Sequence, residues 1–343
     1  MGIESQHKTS SSEHSQGQEA GETTDGKTKI LSGEERKALS ERILQNPNSL
    51  SDAPTDMIIE AVKRDGSDLK YASESVKNDR DIVSEAVEKN GGFLSYASEE
   101  LRDDEELALI AAHSKNFISF QDLSERLRGD KELALVAVKQ KGDLIEYASE
   151  ELRDDKDVVL EAVKQNYQSL LYASDRLKND KDIALVAIIM GNGYDTFRWV
   201  ISNKLKNDKD VVLEAVKQIG SNLEYASEEL RDDKDVVLVA IANDVVSFIY
   251  ASERLRGDKE LALVAVKQEG DLIEYASEEL RDDEELALIA VRRYGGNLRY
   301  VSDRLKHDKK VIIEAMEHSN GMAIMSVPDE LKDEIKEEMS KRT

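Results

Sequence analysis

The sequence predicts an all-α protein built as an α-solenoid, a superhelical array of about eleven two-helix repeats. Three observations support this prediction. A unit of 25 residues recurs eleven times, its apolar side chains follow a helical period, and Gly or Asn recurs where the first helix of the unit should end. A fixed period of this length indicates stacked units that bury their apolar faces against one another.

The repeat is anchored by an alanine in the middle of each apolar stretch. Successive anchors are 25 residues apart, except for a third step of 26 and a sixth step of 28 residues. Because the period runs from about residue 52 to 333, the chain is predicted to be one elongated body. The anchors are Ala61, Ala86, Ala111, Ala137, Ala162, Ala187, Ala215, Ala240, Ala265, Ala290 and Ala315.

The chain divides into four parts. Residues 1–30 are polar with few apolar side chains and are predicted to be a disordered tail. Residues 31–50 are predicted to form an N-terminal capping helix, followed by the repeat solenoid over residues 51–327. Residues 328–343 are predicted to form a charged C-terminal capping helix that begins at Pro328. Polar caps of this kind close the ends of repeat arrays.

One unit, residues 130–154, illustrates the first helix. Asp130 is predicted to be the N-cap of a helix of about ten residues, because its carboxylate can accept hydrogen bonds from free amide groups. Gly142 ends this helix, and Gly or Asn occupies the same position in nine of the eleven units. Both residue types tolerate the left-handed backbone conformation found at many helix ends. A left-handed cap is therefore predicted there.

The rest of the unit is predicted to contain a second helix and a turn. The helix runs from about Leu144 to Ser149, and a tight turn from Glu150 to Arg153 leads to the next capping Asp. Short connections at both ends require the two helices to pack antiparallel. A lone unit buries too few apolar side chains to offset its loss of conformational entropy, so its neighbours must stabilise it.

The segment from Tyr147 to Lys156, YASEELRDDK, resembles the repeats of the domain of unknown function 4116 family. YASEELRDD recurs at Tyr225 and at Tyr275, with variants in most other units, and the resemblance covers roughly residues 54–333. It implies a helical repeat protein and brings no activity or catalytic residue with it. It also implies a setting in large intracellular proteins, including those of bacteria that live inside host cells, of algae and of large viruses.

Charge favours a basic protein as the partner. The formal net charge is −24, and residues 51–283 alone hold 52 acidic and 31 basic side chains. Such an acidic body repels nucleic acid and anionic lipid. No apolar stretch of 18 residues occurs, so no membrane span is expected. With no cysteine and no apolar leader segment, the predicted location is the cytoplasm, or a host cytoplasm into which the protein is delivered.

No catalytic or cofactor site is predicted. The five histidines are isolated from one another, and none lies in a zinc-binding or nucleophile motif. No glycine-rich phosphate-binding loop occurs. The acidic turns, such as Glu150 to Asp155, lack the ligand spacing of a calcium loop and are interpreted as helix caps with a solvated surface. We therefore expect neither an enzyme nor a bound cofactor.

The 28-residue step contains the first group of candidate protein-binding residues. Trp, Tyr and Arg dominate binding hot spots, and this step holds the only tryptophan of the chain. The alternative is that the insertion marks a bend in the array. The candidates are Tyr194, Phe197, Arg198 and Trp199.

Two rows of side chains along the array each have two interpretations. An apolar strip at Val239, Val264 and Ile289 occupies a position where five other units carry Glu. It is either a protein-binding surface or a partly buried strip whose bulk compensates for small residues nearby. A tyrosine row is interpreted as part of the core, with a peptide-binding ladder as the alternative. It comprises Tyr71, Tyr96, Tyr147, Tyr172, Tyr225, Tyr250, Tyr275 and Tyr300.

A basic segment, residues 292–310, carries seven basic and two acidic side chains. Arg292, Arg293 and Arg299 are the candidate anion-binding residues, for a phosphate, an acidic peptide or RNA. The alternative is that these charges pair with their own neighbours.

Together these features predict a non-catalytic helical-repeat scaffold that mediates protein–protein interaction. One alternative is a secreted effector of an intracellular bacterium, or a viral protein, that binds a host target. Another is a protein that binds nucleic acid or phosphoinositide through the basic segment. The oligomeric state is left open.

Overall fold

The structure, a computed structural model, describes residues 31–51, 53–114, 116–191, 195–319 and 321–342. These residues form helices and turns, with no β-strand among them. Consecutive long helices pack side by side along the array, and so do the 3₁₀ helices that follow them. The predicted all-α solenoid is confirmed. The predicted polar tail, residues 1–30, lies outside the described residues.

Each unit begins with a long α-helix. The long helices form one layer of the array. They are Thr55–Arg64, Arg80–Lys89, Glu105–His113, Lys131–Gln140, Lys156–Gln165, Lys181–Met190, Lys209–Gln218, Lys234–Asn243, Lys259–Gln268, Glu284–Arg293 and Lys309–Glu317.

The second segment of the unit is a 3₁₀ helix, and these helices form the opposite layer. In the sixth unit a π-helix, Thr196–Val200, takes this place. The 3₁₀ helices are Gly66–Tyr71, Gly91–Tyr96, Phe117–Asp122, Gly142–Tyr147, Tyr167–Tyr172, Gly220–Tyr225, Val245–Tyr250, Gly270–Tyr275, Gly295–Arg299 and Met322–Ser326.

A third, short helical segment connects each unit to the next. Two of these segments, Leu101–Asp103 and Leu205–Asn207, are single 3₁₀ turns. The others are one-turn α-helices at Glu74–Lys77, Glu125–Arg128, Glu150–Arg153, Asp175–Lys178, Glu228–Arg231, Glu253–Arg256, Glu278–Arg281 and Asp303–Lys306. The array is flanked by Gly33–Gln45 and the 3₁₀ helix Pro47–Leu50 at one end, and by Asp329–Arg342 at the other.

The unit thus has three helical segments where two helices and a turn were predicted. The reason is a second capping residue. Asp130 caps the long helix as predicted, because its carboxylate accepts a hydrogen bond from the amide of Leu133 at 2.9 Å. Ser149 does the same for the next segment by accepting from the amide of Leu152 at 3.3 Å. A capped first turn favours helical backbone, so Glu150–Arg153 is a helix.

The predicted left-handed cap at Gly142 is wrong. Among the described residues, positive φ angles occur only at Asn116, which holds this position in the third unit and has the predicted left-handed conformation, and at Gly321. Gly142 is required for a different reason: a Cβ atom there would lie under 3.0 Å from the carbonyl oxygen of Ala162, the anchor of the next unit. The same approach to the next anchor carbonyl recurs at Gly91, Gly220, Gly270 and Gly295. Glycine lets two backbones come this close.

The core lies between the two layers and runs the length of the array. In the fourth unit, the long helix buries Leu133, Ala134, Ala137 and Val138. The following segments bury Leu144, Ile145 and Leu152. Equivalent positions are buried in the neighbouring units, so each unit shares its apolar surface with the units on both sides.

A row of ion pairs links the N-terminal ends of successive long helices. Lys131 lies 2.8 Å from Asp155, which caps the next helix, and 2.9 Å from Asp157. The same pairing is made by Arg80, Lys156, Lys181, Lys209, Lys234 and Lys259. In the tenth unit the charges are exchanged, because Glu284 replaces the lysine and pairs with Lys310 at 2.7 Å.

Filling the space at Gly142 should destabilise the array. We expect Gly142→Ala to lower the free energy of unfolding by about 1–3 kcal/mol, because the added methyl group forces neighbouring backbones apart. Gly33→Ala is the control, since a Cβ at Gly33 meets nothing within 4 Å. Denaturant titration followed by circular dichroism measures both variants. Equal stability of the two would contradict the role of Gly142.

Acid should also destabilise the array. The hydrogen bond from Lys234 lowers the pKa of the Asp258 carboxyl group, although burial acts in the opposite direction. A carboxylate whose pKa is lowered by folding stabilises the folded state above its unfolded value, about 3.9, and loses that contribution as the pH falls through the lowered value. The denaturation midpoint should therefore be steady near neutrality and fall below about pH 4.

A variant that cannot ionise at these caps tests this dependence. Asp233 caps the preceding long helix and pairs with Lys209, and its pKa is also lowered. Asn can also cap a helix, so Asp233→Asn combined with Asp258→Asn should fold but lose less stability between pH 5 and pH 3 than the wild type. Asp175→Asn, at a fully exposed carboxylate, is the control. Identical pH profiles for the three proteins would contradict the assignment.

Candidate protein-binding surface

The insertion in the sixth unit is accommodated by the π-helix Thr196–Val200, in which the amide of Ile201 donates to the carbonyl oxygen of Thr196 at 3.2 Å. The links between neighbouring units continue across it. Lys181 lies 2.9 Å from Asp208 on the far side. π-Helical turns are frequent at functional sites. The extra residues therefore change the surface locally while the pairing of the long helices persists.

The four residues predicted in this insertion have different positions. Trp199 is 65% exposed and Arg198 is half-buried. Phe197 is fully buried, so the prediction that it contacts a partner is wrong. Its ring fills the core where other units place Leu, Ile or Phe. Tyr194 lies outside the described residues.

Arg198 joins the rings of two units. Its guanidinium carbon lies 4.5 Å from the centre of the Trp199 ring and 5.1 Å from that of Tyr225 in the next unit. The carbonyl oxygen of Arg198 accepts a hydrogen bond from Lys206 Nζ at 2.8 Å. Burial lowers the pKa of Lys206. These contacts hold the exposed indole in a defined position.

Sequence reasoning missed three exposed apolar side chains near this insertion. Leu171 is 47% exposed and occupies, in the fifth unit, the position that Trp199 has in the sixth. Ile189 and Met190 are more than half exposed at the end of a long helix. Other long helices end there in Lys and Gln, as at residues 164–165 and 217–218. A comparison of each unit with its neighbours would have revealed these departures. Leu171, Ile189, Met190 and Trp199 are called the central apolar residues below.

The apolar strip offers less surface. Val239 and Ile289 are half-buried against the core, and Val264 is 37% exposed. Seven members of the tyrosine row are half-buried, and Tyr275 is slightly more exposed. Both rows therefore have one side in the core and one side at the surface.

The three candidate anion-binding residues all contact their own chain. Arg292 binds Glu314 through two hydrogen bonds of 2.9 and 3.3 Å. Arg293 donates to the carbonyl oxygen of Gln268, and the guanidinium carbon of Arg299 lies 4.4 Å from the centre of the Tyr300 ring.

The other cations of the basic segment also have acidic partners. Arg304 pairs with Asp282, Lys306 with Asp303, Lys309 with Glu334 and Lys310 with Glu284. These pairs compensate most of the positive charge of the segment, as the alternative interpretation of its sequence expected.

The repeats can now be compared with known families. The sequence profile of a domain of unknown function (DUF4116) matches eight segments, and each covers roughly two units. They are residues 56–102, 80–119, 104–153, 155–200, 192–231, 208–253, 233–281 and 283–332. The chain belongs to the DUF4116 family. The resemblance noted in the sequence is thereby confirmed. No curated protein and no solved structure is significantly similar to this chain.

The acidic turns of the DUF4116 repeats are occupied by their own contacts. Asp154 accepts hydrogen bonds from the Ser174 hydroxyl and from Arg176, and both lower the pKa of Asp154. Within the described ranges, no group of three or more acidic or histidine side chains is arranged to hold a metal ion. None of the described helices combines the length and the apolar character needed to cross a membrane.

The single tryptophan gives a direct test of this surface. We expect Trp199 to emit at the long wavelength of a solvent-exposed indole and to be quenched readily by acrylamide, because its ring is largely exposed. Arg198→Ala should increase quenching, since the guanidinium group covers one ring face. Arg254→Ala, which removes an exposed guanidinium paired with Asp232, is the control. Short-wavelength emission that resists quenching would contradict the exposed position.

Proposed function

We propose that this DUF4116 chain is a non-catalytic scaffold that binds another protein through the surface around Trp199. The observation that carries this proposal is the exposed indole, held by Arg198 between two units. Trp and Arg are enriched among residues that dominate binding energy. A ring that is held in place before binding loses little freedom when a partner arrives.

The central apolar residues also support the proposal that a partner binds at this surface. The array does not need them for its own stability, because sister units carry charged or polar side chains at most of these positions. The three helices that carry these residues contact one another. Exposed apolar side chains on adjoining elements are typical of interaction sites. A partner that covers them would gain the hydrophobic free energy of their burial.

The charge of the array supports a basic partner. Residues 51–283 contain 52 acidic and 31 basic side chains. An excess of one sign steers oppositely charged proteins towards a surface and disfavours partners of the same sign. An apolar anchor surrounded by basic residues is therefore the partner surface that fits best.

Partner capture with a matched control tests the proposal. Proximity labelling in the cells that produce the protein should identify a partner of the wild type that Trp199→Ala loses, because truncation of a hot-spot Trp weakens binding by a factor on the order of 30 or more. Leu44→Ala removes a side chain that is 63% exposed on the N-terminal helix and should keep the partner. Identical partners for all three proteins would refute the proposal.

A further inference from the structure

The tyrosine row carries a repeated contact with cations of the chain itself. Lys70 Nζ lies 5.7 Å from the centre of the Tyr71 ring, and the guanidinium carbon of Arg299 lies 4.4 Å from that of Tyr300. In both pairs the cation is the residue directly before the tyrosine. Arg198 contacts Tyr225 in the same way from the preceding unit. A cation over an aromatic face is attracted by the negative charge density of the ring.

Other tyrosines of the row lack such a cation. In the part of the chain that the structure describes, no Lys or Arg lies over the rings of Tyr147, Tyr172 or Tyr275. The residues before them are Glu, Leu and Glu, at positions 146, 171 and 274. These three are called the open tyrosines. The row thus contains the same ring position with and without a cation.

Carboxylates surround two of the open tyrosines. Tyr172 lines a cleft of about 480 Å³ between two units, together with Glu150, Arg153 and Asp175. The carboxylate of Glu146 also lies close enough to raise the pKa of Tyr172. Tyr275 lines an equivalent cleft of about 530 Å³, which includes four glutamates and the two arginines Arg256 and Arg281. In both clefts the carboxylates outnumber the guanidinium groups two to one. Such a cleft combines an aromatic face with an excess of negative charge, and both features attract a cation.

The outer carboxylates are available to a ligand. Asp175 is fully exposed and lies 3.9 Å from Lys178. Glu278, at the equivalent position four units later, is also exposed and lies 3.9 Å from Arg281. Exposed ion pairs of this kind contribute little stability. A cation from a partner can therefore replace the internal one with only a small loss of free energy.

The spacing of the row fits an extended chain. Tyr147 and Tyr172 lie at the same position in consecutive units. Packed helices are separated by about 8–10 Å, and one turn of an extended polyproline II segment, which has three residues, spans about 9 Å. Every third side chain of such a segment lies on the same face and can therefore reach successive units. Trp199 follows in the next unit, so such a segment would lead directly to the central apolar residues.

We propose that Tyr147 and Tyr172 bind an extended segment of the partner protein that carries Lys or Arg at every third residue. Each cation lies over one ring, as Arg299 lies over Tyr300, and the cation at Tyr172 also meets Glu150 and Asp175. This inference rests on the proposed function and specifies the chemistry of the partner. A polyanion, such as nucleic acid or an anionic lipid surface, would instead meet the carboxylates that line these clefts.

A labelled synthetic peptide of twelve residues, with Arg at every third position and Gly or Ser between, is the probe. Fluorescence anisotropy should show binding that Tyr172→Leu weakens on the order of 3- to 30-fold, because the aromatic face is lost. Tyr172→Phe keeps the face and should bind as the wild type does. Tyr300→Leu should have little effect, because the chain's own Arg299 already covers that ring.

A second variant covers the Tyr172 ring with a cation of the chain itself instead of removing the ring. Leu171→Arg places a cation directly before Tyr172, as Arg299 precedes Tyr300, and should weaken peptide binding to a similar extent. Leu171→Gln removes the same apolar side chain without adding charge, so the affinity of Leu171→Arg is compared with that of Leu171→Gln to isolate the effect of the added cation. Gln165→Arg adds the same charge at an exposed position off the row and should have a smaller effect than Leu171→Arg. Circular dichroism verifies that each variant is folded.

Three results would overturn the inference. They are unchanged affinity in both Tyr172→Leu and Leu171→Arg, equal weakening by Leu171→Arg and Gln165→Arg, and tighter binding of a peptide with Glu in place of Arg. The proposed function fails separately, when Trp199→Ala keeps every partner of the wild type. A partner that requires Trp199 but binds Tyr172→Leu and Leu171→Arg normally would refute this inference alone.

Discussion

The close approach of successive units at the anchor alanines is the constraint on which the rest of the structure depends. The backbone at Gly142 packs against the carbonyl group of Ala162 with no space for a side chain, and the same contact recurs along the array. Because this contact holds neighbouring units close together, equivalent side chains fall into rows. The capping aspartates, the ion pairs that link them and the tyrosine row all follow from that repetition.

Most positions in these rows serve the stability of the array. Lys131, for example, reaches the capping Asp155 of the next unit, and the exchange of charge between Glu284 and Lys310 preserves a contact between units with the signs reversed. The central apolar residues are different, because their side chains are exposed and sister units carry polar or charged residues at most of these positions. In an array of similar units, a surface residue that departs from its row without compensation is the best indication of a binding site.

Electrostatics acts at two levels in this protein. Single ion pairs on the surface contribute little to stability, and the basic segment largely pairs with its own neighbours. The excess of acidic side chains nevertheless gives the whole array a field that favours basic partners. The intramolecular contacts of Lys70 and Arg299 with tyrosine rings show in detail how a cation fits this surface. The proposal of a basic partner therefore rests both on the long-range charge and on these local ring contacts.

The sequence by itself determined the repeat, the long helices and their capping aspartates, since a period and a capping residue such as Asp130 are local signals. It also drew attention to Trp199. Only the tertiary structure decided that Gly142 serves a close backbone contact, that Phe197 is buried, and that Arg292 binds Glu314. These outcomes depend on contacts between units that are twenty or more residues apart in the chain. The periodicity predicts that such units are neighbours, but it does not specify which of their atoms are in contact.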